Sequence, residues 1–150
     1  NRYAEATPFE FTVAGGSIAN RAAGYDMPGV TVDGQSAIDV FEVAGEAVAR
    51  ARKGEGPTLI EAETYRYMGH FGADDPLVYR TEEGEAHYKE RDGLLQLAAH
   101  IIGGGYAGEE ELQKLEEDAV ESVARAVSFA DDSPFPEASE LNTDVYVSYR

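Results

Sequence analysis

The chain has 150 residues, which suffices for one domain with a hydrophobic core. Its 29 acidic and 12 basic side chains give a formal charge of −17, which argues against nucleic acids and anionic membranes as partners, because both attract clustered Lys and Arg. The absence of cysteine excludes disulfide bonds and cysteine metal sites. The acidity fits either a high-salt adaptation or a surface with basic partners. The sequence contains neither a secretory signal nor a long apolar run, so we expect a cytoplasmic protein.

Two short elements are predicted within the first 25 residues. Residues 9–13 are rich in aromatic and β-branched side chains and predict a short extended segment. Residues 17–25 predict a short helix, because Ser17 is a favourable N-cap and Gly24 lies near the end of the segment.

Residues 30–65 predict a strand, a helix and a second strand. The first strand spans residues 30–32, and the helix extends from Ser36, which forms a capping-box-like start with Asp39, to Lys53. The apolar residues of the helix recur every three or four positions and predict one buried face: Val40, Phe41, Ala44, Val48 and Ala51. The second strand covers residues 58–65. This order implies parallel strands joined by a right-handed crossover.

A loop with a histidine between glycines follows the second strand. His70 is preceded by Gly69 and followed by Phe71-Gly72, and an acidic turn comes next at residues 74–76. Loops at the carboxyl ends of strands in α/β folds often bind ligands, so His70 is a candidate binding residue. The spacing alone favours a loop histidine without a function.

Three helices are predicted after this loop. The first is polar, extends from Thr81 to Arg91, and carries His87 as a surface residue. The second is apolar, begins after Asp92, and carries His100 as a structural residue. The third covers residues 109–130 and has a stripe of mostly small apolar residues: Leu112, Leu115, Ala119, Val123, Ala126 and Ala130. Residues 144–147 predict a short terminal strand.

Four segments together resemble one protein family. They are Asn1-Arg2-Tyr3-Ala4, residues 27–34 with Met-Pro-Gly-Val, residues 66–80 with Arg-Tyr-Met-Gly-His, Asp-Asp-Pro and Tyr-Arg, and residues 129–136 with Phe-Ala and Ser-Pro-Phe-Pro. The same segments occur in the same order in the α subunits of thiamine-diphosphate-dependent E1 dehydrogenases. These are the E1 components of the pyruvate, branched-chain 2-oxoacid and acetoin dehydrogenase complexes.

The resemblance implies a fold and a domain organisation. We expect an α/β protein with the C-terminal portion of the parallel-sheet thiamine-diphosphate-binding fold and a helical C-terminal extension. Residues 1–150 would be the C-terminal part of one such domain, whose N-terminal part is missing. Asn1 corresponds to the end of the family's cofactor motif, which begins with Gly-Asp-Gly upstream.

The resemblance also implies a site. Asn1 corresponds to the asparagine that binds the Mg²⁺ of the cofactor, so it is expected to bind both metal and cofactor. The backbone carbonyl of Tyr3 is expected to be a further Mg²⁺ ligand. His70 corresponds to a catalytic-site histidine that contacts the cofactor diphosphate from a mobile loop. Other residues of this loop are expected to have structural roles: Asp74, Asp75, Tyr79 and Arg80.

Members of this family bind thiamine diphosphate between the α and β subunits of an α2β2 heterotetramer and transfer an acyl group to the lipoyl domain of E2. Phe71 follows the histidine where many relatives have Ser, so phosphorylation is not expected there. Gly-His-Phe is similar to acetoin-type members, which leaves pyruvate, a branched-chain 2-oxoacid and acetoin open as substrates. The alternative, from another functional class, is a noncatalytic interaction module that retains only the C-terminal surface of the fold.

Overall fold

The structure is a computed structural model that describes residues 1–143, so the strand predicted at residues 144–147 lies outside the described residues. The chain divides into two units, Asn1–Tyr106 and Ala107–Arg150. Within residues 1–143, no helix combines the length and the apolar character needed to cross a membrane.

The first unit begins with an antiparallel hairpin of β1 (Tyr3–Ala4) and β2 (Thr7–Pro8), followed by a one-turn helix, α1 (Phe9–Thr12). The extended segment predicted for residues 9–13 is therefore wrong. Phe9 is buried, its ring centroid lies 4.3 Å from the guanidinium of Arg2, and its amide donates to the Arg2 carbonyl over 2.8 Å. These contacts between Arg2 and Phe9 override the local β propensity.

A 3₁₀ helix (Ala19–Tyr25) leads to β3 (Gly29–Asp33), α2 (Ala37–Arg52) and β4 (Leu59–Glu63). The two strands pair in parallel, from Gly29 opposite Leu59 to Asp33 opposite Glu63, so the predicted β-α-β unit is confirmed. The predicted N-cap of α2 is confirmed as well, because the Ser36 hydroxyl accepts a hydrogen bond of 3.2 Å from the Asp39 amide. The small parallel sheet with flanking helices agrees with the α/β class.

The buried face predicted for α2 is only partly correct. Phe41 and Val48 are 77% and 46% exposed, and the half-buried residues are centred on a neighbouring face: Val40, Val43, Ala44 and Ala47. The helix has apolar side chains on more than one face, and the sheet covers one of them. The spacing of apolar residues therefore identifies the helix without identifying the face that packs on the sheet.

Two more helices complete the first unit, α3 (Glu82–Glu90) and α4 (Gly93–Gly103). Both begin as predicted, since the Thr81 hydroxyl accepts from the Gly84 amide over 3.1 Å and Asp92 accepts from the Leu94 amide over 2.8 Å. The second unit contains α5 (Glu109–Asp132) and a 3₁₀ helix (Ala138–Asn142). No residue of α5 is buried, so its stripe of small apolar residues has no buried core position.

Candidate cofactor site

Asn1 and Tyr3 form a tight turn at the start of the hairpin. The Tyr3 amide donates to the side-chain Oδ1 of Asn1 over 3.0 Å, and the intervening Arg2 has a left-handed φ of 65°. An amide oxygen has two lone pairs, so Oδ1 keeps acceptor capacity beside this hydrogen bond. The Asn1 side chain and the Tyr3 carbonyl thus supply two neutral oxygen atoms from one short segment, which are suitable ligands for a hard cation.

His70 lies on the loop between β4 and a short 3₁₀ helix (Pro76–Val78), and its side chain is 47% exposed. The loop folds back on itself at Asp74, whose Oδ2 accepts a hydrogen bond of 2.7 Å from the His70 amide. A Cβ atom on Gly69 would lie 2.7 Å from the Asp74 carbonyl oxygen, so this close approach requires glycine. The His70 side chain is therefore partly exposed to solvent, on a turn whose conformation is fixed by these internal contacts.

Asp74 connects this turn to the end of the loop. Its Oδ2 also accepts from the Tyr79 hydroxyl over 2.6 Å. The hydrogen bonds from Tyr79 and from the His70 amide lower the pKa of the Asp74 carboxyl, and donation to this carboxylate raises the pKa of the Tyr79 hydroxyl. Asp75 has a separate structural role, because it accepts from the Leu77 amide over 3.0 Å at the start of the 3₁₀ helix.

Arg66 joins the histidine loop to the N-terminal hairpin. Its Nη2 donates to the Glu5 carbonyl over 2.8 Å and to the Tyr79 hydroxyl over 2.9 Å, and its Nη1 lies 3.4 Å from His70 Nδ1. The Tyr3 and Tyr79 rings pack with their centroids 5.2 Å apart. We call these contacts between Tyr3, Glu5, Arg66, His70 and Tyr79 the hairpin–loop junction. The junction thus connects the segment that contains Asn1 and Tyr3 with the loop that contains His70.

Sequence reasoning assigned no role to Arg66 or to Glu61. Glu61, on β4, is 9% exposed and accepts from the Ser17 hydroxyl (2.6 Å), the Ala19 amide (2.9 Å) and the Thr31 hydroxyl (3.3 Å). Burial raises the pKa of Glu61, but these hydrogen bonds outweigh burial and leave the pKa lowered. The available signal was a carboxylate between two apolar strand residues, Ile60 and Ala62. Glu61 thus fastens the 3₁₀ helix of residues 19–25 to the sheet.

The other two histidines lie outside the hairpin–loop junction. His87 is an exposed residue of α3, as predicted. His100 is also exposed, and its ring stacks on Tyr106 with the centroids 6.0 Å apart and an interplanar angle of 25°. The structural role of His100 stays a prediction.

The comparisons with known proteins converge on one family. The sequence pattern of the family described as dehydrogenase E1 component matches residues 1–139. The chain is 48% identical over 149 residues to the α subunit of acetoin:2,6-dichlorophenolindophenol oxidoreductase from Bacillus subtilis (strain 168), covering 99% of this chain and 44% of that protein. It is 45% identical over 129 residues to the chloroplastic pyruvate dehydrogenase E1 component subunit alpha-3 of Oryza sativa subsp. japonica, covering 86% and 30%.

A third relative is the 2-oxoisovalerate dehydrogenase subunit alpha of Bacillus subtilis (strain 168), which is 38% identical over 135 residues and is covered over 41% of its length. The chain therefore spans less than half the length of these relatives. The three names cover three substrates, while the match to the family pattern extends through the hairpin, the β-α-β unit and the histidine loop. The chain belongs to the dehydrogenase E1 component family and is similar to the α subunits of its acetoin, pyruvate and branched-chain members.

Proposed function

We propose that residues 1–150 are the C-terminal part of the thiamine-diphosphate-binding domain of an E1 α subunit. The complete enzyme would catalyse oxidative decarboxylation of pyruvate or another 2-oxoacid, or oxidative cleavage of acetoin, and transfer the acyl group to lipoyl-E2. The observation that supports this most is the hairpin–loop junction. It unites the proposed metal-binding segment and the proposed diphosphate-binding histidine, which are about 70 residues apart in sequence.

The donor chemistry of the junction fits the cofactor. Mg²⁺ would be held by Asn1 Oδ1 and the Tyr3 carbonyl, both uncharged oxygen ligands of the kind it accepts alongside water and phosphate oxygens. A diphosphate suits the adjacent loop, because the Arg66 guanidinium is a permanent cation whose Nη1 lies 3.4 Å from the acceptor Nδ1 of His70, which leaves Nε2 of His70 as a donor. The buried Nε of Arg66 also has no partner within residues 1–143. Thiamine diphosphate, when bound, supplies the nucleophilic carbon and the electron sink for the reaction.

The roles of the protein residues follow from their contacts. His70 would donate a hydrogen bond to a diphosphate oxygen, and its backbone is held by Asp74. Arg66 would add a permanent positive charge beside the histidine while anchoring the loop to Glu5. Asp74 and Tyr79 contribute by orienting these two side chains, since they contact the loop backbone and the guanidinium. Phe71 offers no hydroxyl for phosphorylation.

We infer the partners from the family. A β subunit would complete the cofactor site in an α2β2 heterotetramer, and the lipoyl domain of E2 would receive the product. Exposed apolar side chains on α2 and α4, such as Phe41 (77%), Leu94 (79%) and Leu95 (65%), are consistent with covered surfaces in the complete assembly. A cytoplasmic location stays a prediction, since the rice relative is chloroplastic.

An activity assay tests this function. The complete α subunit is produced with its β subunit and supplied with Mg²⁺, thiamine diphosphate and a lipoyl domain. Pyruvate, 2-oxoisovalerate and acetoin are offered separately, and dichlorophenolindophenol reduction and the mass of the lipoyl domain are recorded. We expect dye reduction and acylation with at least one of the three. An assembly that neither binds the cofactor nor reacts with any of them would support the noncatalytic interaction module instead.

A further inference from the structure

Arg2 lies between Asn1 and Tyr3, the two residues proposed to hold Mg²⁺, and its backbone adopts a left-handed conformation with a φ of 65°. A residue with a long side chain seldom adopts this conformation, because its Cβ crowds the backbone, so surrounding contacts have to hold it there. The conformation sets the turn in which the Tyr3 amide reaches the Asn1 side chain. The contacts of Arg2 therefore bear on both proposed ligands.

The guanidinium of Arg2 contacts two carboxylates on two different elements. Its Nη2 donates to Glu10 Oε1 of α1 over 2.7 Å, and its Nη1 donates to Glu63 Oε1 of β4 over 2.9 Å. The Phe9 ring packs against the same guanidinium, and the Phe9 amide donates to the Arg2 carbonyl. Side-chain and backbone contacts thus hold Arg2 together, from α1 and from β4.

Glu63 makes this contact a link to the parallel sheet. It is the last residue of β4, it pairs with Asp33 of β3, and its carbonyl accepts from the Gly34 amide over 2.7 Å. The strands of the hairpin have two residues each, too few to be stable alone. The hairpin–loop junction connects the hairpin to an exposed loop, whereas Arg2 connects it to the sheet.

The two carboxylates also balance the charge of Arg2. An unpaired guanidinium next to a proposed Mg²⁺ ligand would repel the divalent cation. The planar fork of Arg can donate to Glu10 and Glu63 at once, whereas the ammonium of Lys is a compact point charge. The side chain thus fixes the turn while its charge is paired within the protein.

We propose that Arg2 is a positioning residue whose two ion pairs hold the turn of Asn1 and Tyr3 in a geometry suited to Mg²⁺. The proposal rests on the proposed function in naming Mg²⁺ as the ion, while the hold on the turn does not depend on it. The Arg2 side chain is 39% exposed, so each ion pair alone has a modest effect. The two pairs act jointly on one backbone turn.

The substitutions Arg2→Ala and Glu63→Gln test the proposal in the assembled α and β subunits. Calorimetric titrations of thiamine diphosphate at graded Mg²⁺ concentrations give the Mg²⁺ concentration for half-maximal binding. We expect this concentration to rise about threefold in Glu63→Gln, which loses one partly exposed ion pair, and about tenfold in Arg2→Ala, which loses both. Glu63→Gln should add little when residue 2 is already alanine, since the pair is then absent. At saturating Mg²⁺, cofactor affinity should be close to that of wild type.

A second measurement needs no cofactor. In the cofactor-free assembly of Arg2→Ala, hydrogen exchange of the Tyr3 and Phe9 amides should accelerate, while the amides of β3 and β4 keep their protection. Arg91→Ala is the matched control, because it removes the ion pair with Asp33, opposite Glu63 in the sheet, and leaves the hairpin contacts in place. The control should change neither the Mg²⁺ requirement nor the exchange of these two amides.

The outcomes distinguish the positioning role from the proposed function. An unchanged Mg²⁺ requirement with unchanged exchange in Arg2→Ala would overturn the proposal. Equal acceleration in β3 and β4, or fully additive effects of the two substitutions, would overturn it too, because Arg2 would then act on overall stability or independently of Glu63. If Arg2→Ala does not assemble, Glu63→Gln is decided by the same two measurements. Absence of Mg²⁺-dependent cofactor binding by the wild-type assembly would defeat the proposed function, while the exchange experiment would still decide whether Arg2 holds the turn.

Discussion

Replacing His70 by alanine in the assembled enzyme is expected to weaken thiamine diphosphate binding about ten- to a hundredfold. The proposed imidazole–diphosphate hydrogen bond involves a charged acceptor, and such bonds contribute about 1.5–3 kcal/mol. Arg66 remains in the variant and keeps its contacts with Glu5 and Tyr79, so the loop should stay folded. The dissociation constant measured by calorimetry with saturating Mg²⁺ checks this prediction.

Two histidines outside the junction provide controls. His100→Ala removes a ring that stacks on Tyr106 and should affect stability at most. His87→Ala changes an exposed residue of α3 and should be neutral. Acyl transfer to the lipoyl group should decrease in the His70 variant, because a loop without its cofactor contact leaves the site entrance less ordered. If the His70 variant has wild-type affinity for thiamine diphosphate and wild-type acyl transfer, the loop only connects its neighbouring elements and has no role in the site.

The second large effect is expected at Glu61. Alanine at this position removes the common acceptor of three donors in a buried environment: the Ser17 hydroxyl, the Ala19 amide and the Thr31 hydroxyl. We expect the free energy of unfolding to fall by about 2–3 kcal/mol, in the range for hydrogen bonds to a charged group with partners left unpaired. Glu61→Gln should lose less, because the amide oxygen can still accept. Chemical unfolding followed by circular dichroism measures both, with the exposed Glu46→Ala as the control.

The lowered pKa of Glu61 gives this effect a pH dependence. A carboxyl whose pKa is lower in the folded state contributes stability above its unfolded pKa of about 4.3, and this stability disappears as the pH falls through the folded value. The stability difference between wild type and Glu61→Gln should therefore be largest near neutral pH and shrink on acidification below about pH 4. A difference that stays constant from neutral to acidic pH would show that the charge of Glu61 has no role.

The elements that depend on local signals could be predicted from the sequence. Ser36, Thr81 and Asp92 are N-caps whose side-chain acceptors stand directly before the first turns of α2, α3 and α4, and all three helices begin where these residues indicate. The β-α-β unit followed from the order of its elements. Residues 9–13 were mispredicted because the turn there depends on Arg2, whose contacts with Phe9 have no signature in the propensity of the segment itself.

Only those site residues that belong to the family's motifs could be predicted from the sequence. The resemblance drew attention to Asn1, Tyr3 and His70, but it gave no account of what connects them. The connections are contacts between residues far apart in sequence: 61 positions separate Arg66 from Glu5, and 44 separate Glu61 from Ser17. Nothing in the local pattern of either partner specifies the other. The sequence placed Arg80 in the loop. Its hydrogen bonds to the carbonyls of Arg66 and Tyr67 were revealed only by the structure, for the same reason.

Calorimetric titration of thiamine diphosphate into the assembled α and β subunits, with and without Mg²⁺, tests the central claim most directly. The proposed site divides the task between Asn1 and Tyr3 for the metal and His70 for the diphosphate, so binding should require the divalent cation. Replacing Asn1 by alanine should raise the Mg²⁺ concentration needed for binding, whereas His70→Ala should weaken cofactor binding at every Mg²⁺ concentration. Absence of cofactor binding by the intact assembly, or binding indifferent to both Mg²⁺ and Asn1, would contradict the account.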